Sequence, residues 1–128
     1  LFIFDPEEER LMGAITLSNI RRGVAETGTL GYWVGQPYAG QGVGTTSVRA
    51  ILGFAFGALK LHRVEAACVP TNNASRRVLE KAGFRHEGLA RAYLKINGAW
   101  ADHLLFGVIR DEFVPGPIVS SSYLRDSL

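Results

Sequence analysis

The 128-residue chain has one cysteine, Cys68, and one methionine. A single thiol can neither close an intrachain disulfide nor build a thiolate metal site, so a reducing, cytosolic setting is expected. No window approaches the roughly 20 apolar residues of a membrane-spanning helix, and no basic segment leads into an apolar one as in a secretory leader. Charge of one sign is scarce too. Lys and Arg total 14 against 12 Asp and Glu, a formal net charge of +2. That is too little for the continuous basic stripe of a nucleic-acid binder. Neither a membrane nor a nucleic acid is an expected partner. The 47% apolar and 20% charged residues fit an ordinary folded domain and exclude disorder and fibre. The length allows one domain.

The chain opens Leu1-Phe2-Ile3-Phe4 with no Met and no cap, and further sequence is expected before it in the natural product. Phe2–Phe4 and Leu11–Leu17 flank the acidic stretch Asp5-Pro6-Glu7-Glu8-Glu9, which reads as a hairpin. A polar break at Asn19–Gly23 leads to a third strand, Gly28–Val34. Beyond a glycine cluster, Val48, Ile51, Leu52, Ala55, Phe56 and Leu59 recur at the i, i+3, i+4, i+7, i+8, i+11 spacing of one helical face. Arg63–Val69 alternates with period two and ends at Pro70. Asn72 or Asn73 caps a short helix, Ser75–Ala82, which Gly83 stops. Phe84–Glu87, Ala90–Ile96 and His103–Ile109 are strand candidates, with Asn97-Gly98 a two-residue turn signal between the last two. The tail from Val114 has no period and is expected to be peripheral. The reading is an α/β (α+β) domain over residues 1–113 with a mixed sheet, then a tail over 114–128.

The cluster Gly40, Gly42, Gly44 directly precedes the long helix. Glycine lets a ligand approach the backbone, and the first helical amides have no intrahelical acceptor, so such an end binds anions. A tight strand-to-helix turn alone would also explain the glycines. A P-loop is excluded, because Gly35 to Gly40 is followed by Gln41 and Gly42 rather than Gly-Lys. The dinucleotide fingerprint fails at Thr45, where a third glycine is required. A diphosphate on the amides of Gln41 to Thr45, without metal, is what remains.

The stretch GQGVGTTSVRAILGFAF resembles the acetyl-CoA pyrophosphate loop of GNAT acetyltransferases, Gln/Arg-x-x-Gly-x-Gly/Ala followed by a helix. Gly42 and Gly44 stand at the two small positions. Ala39 stands at the first, which removes a polar side chain but keeps the amides. PTNNASRRVLEKAGFRHEGLAR resembles the second cofactor motif in the Asn-x-x-Ser form of the RimJ/RimL branch, and YLKINGAWADHLLFGVI resembles that branch's last hairpin. The motifs run in family order from about Leu11 to Phe113, and the sequence is most similar in kind to RimJ-type ribosomal-protein alanine N-acetyltransferases.

The resemblance implies a GNAT fold: a mixed, mostly antiparallel sheet flanked by helices, in which two central parallel strands splay apart between Tyr32–Val34 and Val64–Cys68. It implies acetyl-CoA as cosubstrate and no metal. Trp33 and Val34 would lend backbone groups to the pantetheine arm, and Gln41, Gly42, Val43, Gly44 and Thr45 would hold the diphosphate. Asn72 would bond a pantetheine amide, and Ser75 would protonate the leaving thiolate. It also implies a strand and helices before Leu1. Many GNAT enzymes carry a tyrosine acid where this chain has Leu79, leaving Ser75 without an evident substitute.

Acetyl transfer to an amine needs a neutral amine, a polarised carbonyl and a proton for the thiolate, with positioning supplying much of the rate. As helix-start residues, Ser75 and Asn72 also have purely structural readings, an amide partner and an N-cap. The base is unsettled. Glu26, Glu87, Asp102, His86 and His103 are available, yet none has a decisive partner, and Asp102 and His103 should point to opposite faces of a strand. RimL-like relatives place a carboxylate after the Glu-Gly pair, where this chain has Ala92, Tyr93 and Leu94. A water-mediated base, or an amine that arrives deprotonated, fits as well. His62, His86 and His103 lack metal-ligand spacing. Cys68 reads as core. Arg76 and Arg77 meet cofactor phosphates or form a solvated face, with at least one expected on the face. Tyr32, Tyr38, Tyr93 and Trp100 are candidates for an acceptor cleft or for core and rim.

The leading expectation is acetyl transfer to the N-terminal α-amine of a protein, such as a ribosomal protein, by a monomer or homodimer. The alternatives are a small-amine acetyltransferase, acting on a polyamine or aminoglycoside, and a non-catalytic CoA-binding or interaction module.

Overall fold

Two-residue and 3.6-residue periodicities become strands and helices in the computed structural model, which describes residues 1–4, 10–35, 42–115 and 124–125. Gln41 and Tyr38, and the acidic turn 5–9, lie outside the described residues. The elements are β1 (Phe2–Phe4), β2 (Leu11–Arg21), β3 (Thr27–Val34), α1 (Val43–Gly57), β4 (Arg63–Cys68), α2 (Asn73–Ala82), β5 (Arg85–Ile96), β6 (Ala99–Ile109) and β7 (Leu124–Arg125). They form one sheet in the order β5-β6-β4-β3-β2-β1-β7. Only β3 and β4 are parallel neighbours; every other adjacent pair is antiparallel. A parallel pair needs a crossover, and α1 supplies it.

The apolar stripe of α1 is what docks the helix. Val48, Leu52 and Ala55 are fully buried, and Ile51 and Phe56 nearly so. Burying a side chain of leucine size contributes roughly 1.5–3 kcal/mol. α1 packs on α2 and on β2, β3 and β4. From β4 the alternation puts Val64, Ala66 and Cys68 on the same core face. α2 is capped at Asn72, whose side chain accepts from the Ser75 amide at 3.0 Å. It ends at Gly83, whose φ of 107° only glycine adopts freely. Leu79 and Ala82 are its buried residues.

The Asn97-Gly98 turn forms as expected: φ values of 50° and 82° are those of a two-residue type I′ turn, and Ile96 faces Ala99 across it. Other boundaries differ. The two strand candidates Phe84–Glu87 and Ala90–Ile96 are one strand, β5, with a register shift between Ala90 and Leu94. Ala92 there has φ 46°, and its amide donates to Asp102 Oδ1 at 2.8 Å. β2 continues through the expected polar break to Arg21, with its own shift after Ser18 and Asn19 at φ 49°. Pairing with β3 outweighs the polar composition.

Two residues of the tail add a strand at the outer edge of the sheet. Leu124 and Arg125 pair antiparallel with Ile3 and Phe2, so the outer edge of β1 is covered. Closer to β6, the Phe113 ring meets Phe56 at 5.4 Å, with the Arg49 guanidinium 5.1 Å from its centre. Arg49 also donates to the Val114 carbonyl.

Candidate active site

The expected splay is present, and register explains it. β3 and β4 pair only at Thr27↔Arg63, Gly28↔Val64 and Thr29↔Glu65. Each strand then runs on with its outer neighbour alone, β3 beside β2 to Val34↔Gly13 and β4 beside β6 to Cys68↔Leu104. Beyond Thr29 the backbone groups of β3 that point toward β4 have no strand partner. A cavity of about 260 Å³ lies against this unpaired end of β3.

Three elements wall it. From β3 come Tyr32, Trp33 and Val34; from the start of α1 come Gly42, Gly44 and Thr45; from the α2 region come Asn72, Ala74, Ser75, Arg77, Val78 and Lys81. Gly42 sits in the left-handed region at φ 79° and makes no side-chain cap, with open space where a Cβ would be. The first amides of α1 are left without intrahelical acceptors. Gly44 has a different reason for being small: a Cβ there would stand 3.2 Å from Val78 Cγ2 and 3.5 Å from Val34 Cγ2. Its hydrogen is what lets α1, α2 and β3 meet at the cavity wall.

Ser75 is half-buried at the start of α2, and its Oγ lies 2.8 Å from the Tyr32 hydroxyl. The same phenol is 3.1 Å from the Ser75 carbonyl oxygen. Burial pushes the Tyr32 phenol above its ordinary range, while the contact with Ser75 pulls the other way. Leu79 is fully buried and takes no part in the wall.

Of the residues singled out in the sequence, Trp33, Val34, Gly42, Gly44, Thr45, Asn72, Ser75 and Tyr32 therefore come together. The Val43 side chain packs into the core, 6% exposed, while its amide is the first of α1. Tyr93 lies on β5 against the His103 ring, 5.7 Å centre to centre, and does not line the cavity. Arg76 pairs with Glu80 at 3.1 Å, leaving Arg77 on the wall. Lys81 was not foreseen. The signal was available, because Ala74, Arg77, Val78 and Lys81 follow the i, i+3, i+4, i+7 spacing of a single face of α2. Tyr32 and Ser75, 43 residues apart, carry no such signal.

Each candidate base is held elsewhere. Glu26 accepts from Arg22 and the Gly23 amide, which hold its carboxyl below the usual range. Glu87 forms a two-pronged pair with Arg63 and is likewise held low. Asp102 and His103 do face opposite ways: Asp102 takes the Ala92 amide, and His103 is buried with Nδ1 3.0 Å from the Ala101 carbonyl. The His86 ring lies 5.5 Å from that of Phe106. Among the described residues the cavity wall carries hydroxyls and two cations, and no carboxylate; the intervening loop 36–41 contains no Asp, Glu or His either. Cys68 is buried, and burial raises its thiol. No cluster of metal-ligating side chains exists among the described residues.

A splayed parallel pair with a helix N-terminus beside it is the arrangement that the sequence resemblance implies, and comparison with known proteins agrees. Residues 1–85 match the family model described as Acetyltransferase (GNAT) domain. The chain belongs to the GNAT acetyltransferase family. It is 44% identical over 110 residues to a Bacillus subtilis (strain 168) protein named Probable N-acetyltransferase YjcK, covering 86% of this chain and 61% of that one. It is 34% identical over 114 residues to the ribosomal protein uS5-alanine N-acetyltransferase of Escherichia coli (strain K12), covering 89% of this chain and 59% of the relative. The solved structure of Mycobacterium smegmatis RimJ in complex with CoA-disulfide superposes with a TM-score of 0.78 at 39% identity, over 82% of this chain and 50% of that one. The chain thus spans about three fifths of the length of these two sequence relatives.

Proposed function

We propose that this chain is the cofactor-binding and catalytic part of an acetyl-CoA-dependent N-acetyltransferase that acts on the N-terminal α-amine of a protein, ribosomal proteins being the favoured class. The observation that carries the reading is the cavity at the unpaired end of β3, whose wall brings together Ser75 and the N-terminus of α1. Acetyl-CoA, when bound, supplies the acetyl group and a thiolate that has to leave as a thiol.

The residues present suit that cosubstrate. The amides of Val43 to Thr45 and the cations Arg77 and Lys81 face an anion. The free edge of β3 at Trp33 and Val34 offers the amide-pairing groups of an unfinished strand. Asn72 holds the Ser75 amide and so fixes where the hydroxyl stands. Ser75 donates its proton to the departing sulfur. With no carboxylate on the described wall, the amine enters deprotonated, which suits an α-amine of ordinary pKa about 7.7–8.0 better than a lysine near 10.4. Among the described residues of the wall, two cations and no carboxylate also disfavour a polyamine, which would want several acidic partners. The single, buried Cys68 fits a cytosolic setting.

The test is release of free CoA with an alanine-starting peptide and with spermidine at matched concentration. The peptide should react faster; the reverse ranking supports the small-amine alternative, and binding of CoA without turnover on any amine supports a sensor. Ser75→Ala should lower kcat by roughly 10–1,000-fold and leave KM for acetyl-CoA nearly unchanged, because proton donation matters in the transition state. An undiminished kcat would return Ser75 to a helix-start role.

A further inference from the structure

The Tyr32 hydroxyl has two acceptors and one proton. It lies 2.8 Å from Ser75 Oγ and 3.1 Å from the Ser75 carbonyl oxygen. If the phenol donates to the carbonyl, the short contact survives only when the serine turns its own proton toward the phenol oxygen, and none is left for the cavity. If the phenol donates to Oγ, the serine proton is free to point outward. The two arrangements differ in whether Ser75 can act as an acid.

Both partners are fixed by the fold. Tyr32 is on β3 past its last pairing with β4, in register with Ile15 of β2, which is fully buried. Ser75 is anchored through its amide to Asn72 Oδ1. Neither can drift without breaking a sheet rung or a helix cap. Because burial raises the phenol, it keeps its proton across the neutral range and remains a donor. The residue one turn on from Ser75 is Leu79, which has no polar atom to take over the task.

We propose that Tyr32 is a positioning residue for acetyl transfer: its hydroxyl donates to Ser75 Oγ, frees the serine proton for the leaving sulfur, and supports the oxygen as that proton departs. This rests on the reading of Ser75 as proton donor. The serine O–H bond breaks as the thiol S–H bond forms, the phenol keeps its own proton throughout, and the serine oxygen is reprotonated by the proton that the newly acylated nitrogen sheds.

The experiment is a double-mutant cycle of Tyr32→Phe and Ser75→Ala in the natural full-length protein, with acetyl-CoA and a reactive amine. Tyr32→Phe should lower kcat roughly 3- to 10-fold, the effect of one neutral hydrogen bond, with KM for acetyl-CoA within about 2-fold. In the Ser75→Ala background it should have no further effect on kcat. An equal fractional loss in both backgrounds, an unchanged kcat, or a change confined to KM would overturn the proposal and make the phenol a strut between β3 and α2. Full activity of Ser75→Ala would instead remove the reading beneath it. A second readout needs no turnover: ring-carbon NMR of Tyr32, assigned with Tyr32→Phe. Ionisation should move to higher pH in Ser75→Ala, because the serine contact lowers the phenol's pKa. An unmoved titration would show that the two hydroxyls do not meet in solution.

Discussion

Gly44→Ala sets two opposing effects against each other at the start of α1. Alanine favours helix over glycine by at most about 1 kcal/mol. Its Cβ, however, would lie 3.2 Å from Val78 Cγ2, inside the roughly 3.5–4.0 Å at which carbon pairs attract. Val78 has to give by a few tenths of an ångström, and mild crowding of this kind costs on the order of 1 kcal/mol. The two effects nearly cancel, so urea denaturation should put Gly44→Ala within about 0.5 kcal/mol of wild type. Truncating the obstacle changes the sign. In a Val78→Ala background, Gly44→Ala should stabilise by up to about 1 kcal/mol, roughly 4 °C in midpoint for a domain of this size. Gly44→Val adds two γ-carbons at the same place and should cost about 1–3 kcal/mol while displacing the helix that carries Ser75. Should Gly44→Ala stabilise by the same amount with and without Val78, the crowding argument fails, and Gly44 is small for another reason.

Asn72→Ala removes the acceptor for the Ser75 amide and should lower stability by roughly 0.5–2 kcal/mol in urea titrations, with Asn72→Asp largely preserving it. Glu87 is held low by Arg63, so its stabilising contribution is complete above the ordinary carboxylate pKa of about 4.3 and fades as pH falls through the lower folded value. The stability gap between wild type and Glu87→Gln should therefore narrow between about pH 7 and pH 3; a constant gap would disconnect the ion pair from stability. Lys81→Ala should weaken CoA binding several-fold by calorimetry at low salt, and the difference should shrink near 1 M salt, where the screening length is roughly 3 Å. An equal loss at both salts would mean that Lys81 acts by packing rather than by charge.

What local chemistry dictates was readable in the chain. The apolar face from Val48 to Phe56, the Asn72 cap, the Gly83 stop and the Asn97-Gly98 turn each follow from residues a few positions apart. The splay followed from a resemblance rather than from periodicity, since a strand that leaves its partner after Thr29 has the same alternation as one that stays. Longer-range pairings left no local trace. The two residues of β7 are too few to show a period and owe their conformation to β1. Ala92 adopts positive φ within a register shift, its amide received by Asp102 ten residues on. Arg63 reaches Glu87 across Gly107, where a Cβ would lie 2.5 Å from the guanidinium; nothing local to Gly107 announces that.

The parallel junction between β3 and β4 has a mechanical consequence. The leaf β5-β6-β4 and the leaf β3-β2-β1-β7 meet in the sheet through three residue pairs only, which makes those pairs a hinge pin. From Thr29 to Val34, β3 is a lever about 16 Å long, and a tilt of roughly 5° at the pin swings its tip by roughly 1.4 Å. That is half the width of a water molecule. Beyond the pin the lever is tied to α2 by the Tyr32 hydroxyl at Ser75 and backed by α1, which rests on α2 with Val78 against Gly44. The width of the gap is thus set by the contacts that seat β3 on the two helices as well as by the three pairs of the pin.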